Sequence, residues 1–434
     1  MTDFSRRQLM QMSAAGAVAA GAVPSLAHAA YTPKFAVEKG ASLQMLRWTG
    51  FIKADDVQWQ KNTEAFTKAT GVPVSIQAIS WDEIQAKSGL AAELGSGPDI
   101  VMGWYDDPFI YPDKLVDVSD LCEDLMTNLG GFYSVCRSYG YDEKEKRWLA
   151  VPLGGPADAV VYRDSWVKEA GYDSFPTDYD GMLDAARKLK KLNHPIGLAL
   201  GHAVGDANNW THCVLWGFGG KQVDEENRVC IESKETYAAL KYAKALYETM
   251  IPGVSSWLDV SNNQAFLAGQ ISMTMNGISI WTVAEQQFPK IFPDTRNGPV
   301  PVGPVKRGFF NQFSQSYIFK YCKYPNAAKE YLRFMFQPEQ MDPWITGMNG
   351  YVTPAMKVYS KLPIWTSNPN ITPYRDALID NLPDGYSGPP GRAAATALNS
   401  FVIVNMFADA CVRGATPQEA AKNAARQLRQ IYGT

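Results

Sequence analysis

The stretch from residue 42 to 79 constrains the fold more than any other. "SLQMLRW" (42–48) is an apolar run of strand length, and "DDVQWQKNTEAFTKATG" has helical spacing, with Asp55 or Asp56 as its cap and Gly71 as its stop. "VPVSIQAI" (72–79) then alternates Val72, Val74 and Ile76 as a strand does. A helical crossover of that length joins parallel neighbours, so the unit implies an α/β sheet. The same grammar recurs in "PDIVMGW" (98–104), a short buried strand, and in "AVVYR" (159–163), followed by a small helix that Gly171 ends. In "TDYDGMLDAARKLKKL" the positions Tyr179, Met182, Leu183, Ala186, Leu189 and Leu192 form one helical stripe, with Thr177 and Asp180 spaced as a capping box. Thr416-Pro417-Gln418-Glu419 places a cap, a first-turn proline and a reciprocal glutamate ahead of Ala421, Ala424, Ala425, Leu428 and Ile431.

A chain of 434 residues, 46% of them hydrophobic, is long enough for two domains or more around sizeable cores. Its first residues read as an export signal instead of structure. Arg6 and Arg7 precede an alanine-rich apolar run, and Ala27-His28-Ala29 has the small-x-small pattern of a cleavage site, placing the mature start near Ala29 and the protein in the periplasm. Ser5-Arg6-Arg7-Gln8-Leu9 resembles the twin-arginine signal, with Leu9 where Phe is usual, so the ordinary secretory route stays open. Without residues 1–29, which hold Asp3, Arg6 and Arg7, the formal charge of -3 becomes about -4, too mild to favour nucleic acid or an anionic membrane surface as partner. The most apolar stretch, 393–412, is interrupted by Thr396, Asn399, Ser400, Asn405 and Asp409, which reads as a buried helix with no direct membrane insertion.

The familiar signatures of catalysis are missing. GxGxxG between strand and helix, GxxxxGK[ST], HExxH and GxSxG do not occur, so no cofactor, metal or catalytic residue is expected. His202 and His212 bracket "AVGDANNWT", where a metal or acid/base role is conceivable, but no carboxylate motif surrounds them and a loop or core role fits better. Asp106-Asp107 could suggest glycosidase carboxylates, yet adjacent residues seldom face one substrate as an acid and nucleophile pair. Six cysteines, at 122, 136, 213, 230, 322 and 411, form no CxxC; Cys122 with Cys136 and Cys213 with Cys230 are near enough in sequence to pair, or all can pack as small hydrophobes.

Aromatic residues carry more information. Trp48-Thr49-Gly50-Phe51, Trp104-Tyr105-Asp106-Asp107 and Asn208-Asn209-Trp210 set flat apolar faces beside hydrogen-bonding groups, all three read as lying where strands end. A pyranose has apolar C–H faces and a rim of hydroxyls, so such pairings suit it, and ligands of open α/β sheets bind at strand carboxyl ends. Each tryptophan could equally pack a lobe surface.

"AFTKATGVPVSI", "LAAELGSGPDIVMGW", "VPLGGPADAVVYRDSWVKEAGYDSFPTDYDGMLDAARKL", "NQAFLAGQISMTMNG" and "TPQEAAKNAARQL" together resemble the extracellular solute-binding proteins, family 1, of bacterial ABC importers, the maltose-binding-protein-like group. Five blocks in the family's order span nearly the whole mature chain. The resemblance implies two α/β lobes with a ligand cleft between them, one of about 30–152 plus 297–338, the other of 153–296 plus 339–434. Pro152 to Pro156 and Asn297 to Val300 would be the hinge crossings. It carries binding roles onto Trp48, Thr49 and Phe51, onto Trp104 and Asp106, and in the second lobe onto Trp210 and the Asn276-Gly277 turn. Two residues after that glycine the maltose-type pattern often has Trp; here stands Ser279, with Trp281 beyond, which puts maltose itself in doubt. "MNGYVTP" (348–354) resembles a family loop near the cleft and nominates Asn349 and Tyr351, with Arg392 of "GPPGRAAA" as a further candidate; a plain turn accounts for both equally.

The function these readings imply is equilibrium capture of a small-molecule carbohydrate by a monomer, which then docks on the transmembrane subunits of an ABC permease. The same fold could instead hold a polyol, a glycerophosphodiester or a polyamine, the last requiring several carboxylates in the cleft. A periplasmic carbohydrate-active enzyme is the alternative of another class, and it would need two carboxyl groups facing each other across a cleft.

Overall fold

The computed structural model describes residues 31–434; the export signal read over 1–29 lies outside them. The expected strand–helix–strand start is present. Strands β1 (Leu43–Trp48), β2 (Val74–Ile79) and β3 (Ile100–Trp104) run parallel, with Leu43 opposite Val74 and Met45 opposite Ile100. Every residue of β3 is buried, as befits an inner parallel strand covered on both faces. A short hairpin, β4 (Tyr141–Asp142) with β5 (Arg147–Trp148), leads into β6 (Val151–Gly155).

The chain then builds a second sheet from β7 (Ala159–Arg163), β8 (Met273–Asn276) and β9 (Thr295–Gly298), all antiparallel with β7 in the middle. It returns to the first sheet with β10 (Ser314–Ile318) and again with β11 (Thr353–Pro354), giving the order β11-β6-β10-β3-β1-β2. Two sheets, each flanked by helices and joined by chain crossings, make the two lobes. Where β6 squeezes between β10 and β11, Gly154 sits at φ +112°, and a Cβ there would lie 2.0 Å from the Thr353 carbonyl oxygen.

Several expectations are corrected in detail. The first crossing follows Gly155, because Pro152 and Gly154 belong to β6. Asn297 and Gly298 end β9 instead of crossing; the chain stays on the second lobe, with Val302 bridged to Asp178 and the Val305 N–H donating to Gly217 (3.0 Å), until β10. Residues 339–354, expected with the second lobe, lie against the helix after β1 and against β6. Trp344 meets the Trp59 ring and donates to Asp55 (2.7 Å), and β11 pairs with β6. The helix after β1 starts at Lys53 with Ile52 as its N-cap, since Asp55 is occupied in the core by Arg47 (2.7 Å) and Trp48 Nε1 (3.1 Å).

Helix Tyr179–Lys191 is capped by Asp178, which accepts from the Gly181 N–H (2.8 Å), and not by Thr177. Thr416 and Glu419 do form their capping box, and helix Pro417–Tyr432 buries Ala421, Ala424, Ala425 and Leu428 while Ile431 stays half-buried. The apolar stretch at 393–412 is two helices, Arg392–Asn399 and Val402–Cys411, broken where Phe401 takes φ +54°. All six cysteines are unpaired, five of them buried. Core packing accounts for them: the thiols of Cys122, Cys136 and Cys213 each face a backbone carbonyl.

Candidate functional site

Loops from both lobes meet around a cavity of about 320 Å³, counting the part open to solvent. From the first lobe come Phe51, after β1, and Trp81, after β2, both at carboxyl ends of parallel strands, with Gln312 just before β10 and Tyr351 just before β11. Trp81 is fixed by local chemistry: Ser80 and Glu83 form a reciprocal capping box around the short 3₁₀ turn Trp81–Glu83. Its ring packs against Trp104 (4.0 Å between centroids), Trp48 (5.4 Å) and Phe51 (5.3 Å). The indole N–H of this buried ring has no hydrogen-bond partner.

The second lobe supplies polar groups. Asp158, in the crossing after β6, accepts from Asn209 Nδ2 (3.0 Å), and its own N–H donates to Asn311 (2.7 Å). Asp259 is held by the N–H groups of Gly205 (3.0 Å) and Asp206 (2.7 Å) at the start of helix Asp206–Gly217. A Cβ on Gly205 would come within 2.4 Å of Gln312 Oε1 and 3.0 Å of Asp259 Oδ1, so only glycine lets these groups converge. Asn276 Nδ2 donates to Ser279 Oγ (2.9 Å), which also accepts from Asn263 Nδ2 (3.1 Å). Burial raises Asp158 to about 7 and Asp259 to about 8, and pushes Asp206 well above the carboxylate range.

Phe51, Asn209, Asn276, Gly277 and Tyr351, all nominated from the sequence, line this cavity. The other nominees lie elsewhere. Trp48 and Trp104 are the last residues of their strands and sit fully buried beneath Trp81; Trp104 Nε1 donates to the Trp81 carbonyl (3.2 Å). Thr49 is exposed, its N–H on the Ile79 carbonyl (2.8 Å). Tyr105 spans the two lobes, its hydroxyl donating to Val204 O (3.2 Å) and Asn209 Oδ1 (3.0 Å). Asp107 is buried on the flank, accepting from Gln85 (3.0 Å) and Asn399 (3.1 Å), and burial raises it to about 6. Asp106 faces Asp384 and is raised well above the usual range, first by burial and then by that neighbour.

Trp210 is a core residue of the second lobe, donating to the Ala199 carbonyl, with Phe407 against its edge (5.7 Å). Trp281 packs on Phe292 (5.1 Å). Asn349 Nδ2 is 3.3 Å from both Thr282 Oγ1 and Glu285 Oε2, and Arg392 is exposed at a helix start. Of the two histidines, His212 is a core residue, bonded to the Asn208 carbonyl (2.7 Å) and lowered to about 4 by burial; His202 stacks on Phe401 (4.5 Å) and bonds Asn405 (3.0 Å). The reading missed Trp81, Asp158, Asp206, Asp259, Asn263, Ser279 and Gln312 as cavity residues. The Ser80–Glu83 capping box one residue beyond β2 was the signal for Trp81.

A family model described as bacterial extracellular solute-binding protein matches residues 61–373. Over 309 residues the chain is 22% identical to the putative ABC transporter periplasmic-binding protein YcjN of Escherichia coli (strain K12), covering 69% of each. Among solved structures, maltose-bound MalE3 of T. maritima superposes with a TM-score of 0.78 at 20% identity, covering 90% of this chain and 100% of that one. An ABC transporter solute-binding protein of Thermotoga lettingae TMO, bound with α-D-tagatose, superposes with 0.78 at 17% identity, covering 91% and 100%. At such identities these likenesses establish the fold.

Proposed function

Since the chain belongs to the bacterial extracellular solute-binding proteins, we propose that it is the periplasmic capture component of an ABC importer and that it takes a sugar. The observation that carries this is the make-up of the cavity: the rings of Phe51, Trp81 and Tyr351 on the first lobe oppose Asp158, Asp206, Asn209, Asp259, Asn263 and Asn276 on the second. Aromatic faces match the C–H faces of a pyranose, and amides and carboxylates match its hydroxyls. The maltose and α-D-tagatose held by two structural neighbours support the same reading.

Ligand touching both lobes favours the closed arrangement by its differential affinity for it, and the closed form docks on the permease. The hydroxyl of Tyr105, reaching across to Val204 and Asn209, is a contact that closure makes. Binding without turnover is part of the proposal, as are a monomeric state and a cleaved signal near Ala29. The lobes we propose are 31–155 with 312–367, and 156–311 with 368–434, since Lys357 and Tyr359 bond to Gly131 and Phe336 while Asn370 bonds to Asn297.

A thermal-shift screen of residues 30–434 against mono-, di- and trisaccharides, polyols, glycerophosphodiesters and polyamines tests the reading, because a ligand of the folded state raises the melting temperature by mass action. A rise with a saccharide is expected. A rise only with a phosphodiester overturns the sugar, and steady release of product from sugar glycosides would overturn the absence of turnover.

A further inference from the structure

Among the described residues the cavity is lined by three aspartates and by no Lys, Arg or His. Asp158, Asp206 and Asp259 converge from three separate segments of the second lobe, and from the first lobe Asp82, beside Trp81, meets Asp259. A neutral sugar does not call for this. Its hydroxyls are satisfied by amides and an occasional carboxylate, and each extra buried carboxylate adds desolvation and repulsion.

The hydrogen bonds present do not exhaust these groups. Asn263, 8% exposed, lines the cavity and keeps its side-chain oxygen without a partner, as does one oxygen of Asp206, while Asp259 meets Asp82. Beside these acceptors and the facing Asp82 and Asp259 carboxyls, the lining holds two free donors, Trp81 Nε1 and Gln312 Nε2. A complementary ligand therefore brings N–H donors and positive charge to the aspartates. The rings of Trp81, Phe51 and Tyr351 border the same space, and aromatic faces attract cations as well as C–H groups. A metal ion is not indicated, because among the described residues no three His, Cys, Asp or Glu are arranged to hold one.

We propose that the ligand is an amine-bearing sugar whose ammonium group lies among Asp158, Asp206 and Asp259; this rests on the sugar reading and narrows it. The titratable groups facing that spot are Asp82, Asp158, Asp206, Asp259, Tyr105 and Tyr351. Burial keeps both phenols neutral and leaves Asp158 near 7 and Asp259 near 8 in the absence of a cation. An arriving ammonium lowers the carboxyls, so binding at pH 7 releases protons.

The test is calorimetric titration of residues 30–434 with D-glucosamine, D-galactosamine and D-mannosamine, each beside its parent hexose and its N-acetyl derivative, and with putrescine. Two buffers of different ionisation enthalpy report the protons released. At least tenfold tighter binding of one hexosamine than of its parent and N-acetyl partners, with proton release, is the expected result. Equal binding of the parent hexose overturns this inference and leaves the sugar reading standing. Binding of putrescine and no hexosamine overturns both, and no binding by any amine overturns the inference. Asp158→Asn and Asp259→Asn each erase the preference while the ligand-free melting temperature does not fall, which separates lost recognition from a damaged fold. A preference that survives both substitutions also overturns it.

Discussion

Single residues decide where the cleft is. Trp48 and Trp104 look like ligand platforms in the sequence because each ends a strand beside polar residues. The structure points both inward and uses them as a bed for Trp81, with ring centroids 4.6 Å apart. A strand's alternation tells which residues share a face, but not which of two faces the next lobe will cover. Phe51, one short loop further on, does reach the cavity, as do Asn209, Asn276, Gly277 and Tyr351. Asp158 and Asp206 were out of reach because an aspartate after a strand or at a helix start usually caps or turns. Gly205 exposes the tolerance of the site. We expect Gly205→Ala to displace Asp259 or Gln312, costing about 1–3 kcal/mol of stability and most of the ligand affinity. Denaturant melts and titration check it, and an unchanged affinity would separate Asp259 from binding.

Elements were legible where a local signal stands alone. The capping box at Thr416 and Glu419, the strand Ala159–Arg163 and the parallel start all appear where spacing puts them. Caps misread are those where two polar residues compete. Thr177 and Asp178 both precede helix Tyr179–Lys191, and Asp178 takes the Gly181 N–H because it stands one residue nearer the first turn. Asp178→Ala is expected to lower stability by about 1 kcal/mol, and Thr177→Ala to leave it within a few tenths; chemical denaturation of the two variants side by side decides between them. Asp55 does not cap because Arg47 and Trp48 at the end of β1 and Trp344, 289 positions later, all claim its carboxylate, and the last of these nothing in its neighbourhood announces. Such long-range claims on a side chain are what local pattern leaves unread.

At the scale of the whole molecule, the alternation of strands and helices foretold an α/β sheet and the family resemblance two lobes, while Asn297 and Gly298, expected in a crossing, close β9. The short β11 contributes two residues, too few for any periodicity to show its pairing with β6. The buried carboxyls between the lobes give the empty protein a pH signature. Asp158 near 7 and Asp259 near 8 bind protons in the folded state that an unfolded aspartate, with a pKa near 4, has already lost, so stability falls as pH rises through that window. His212, lowered to about 4, has the opposite effect, but only below the ordinary imidazole value of about 6.5. The ligand-free melting temperature is therefore expected to drop between pH 6.5 and 8.5, by roughly 2 kcal/mol in stability, and a flat profile in calorimetric scans would show that the cleft carboxyls are solvated.

Titration of the wild type and of Trp81→Leu with the saccharide found by the thermal screen is the most direct test of a ligand held between the lobes. Leucine keeps an apolar side chain and removes the flat face. Saturable one-to-one binding by the wild type, weakened tenfold or more in Trp81→Leu while its ligand-free melting temperature stays within a few degrees, is the result predicted. Equal affinity in the two proteins would contradict a sugar seated on Trp81 in this cleft.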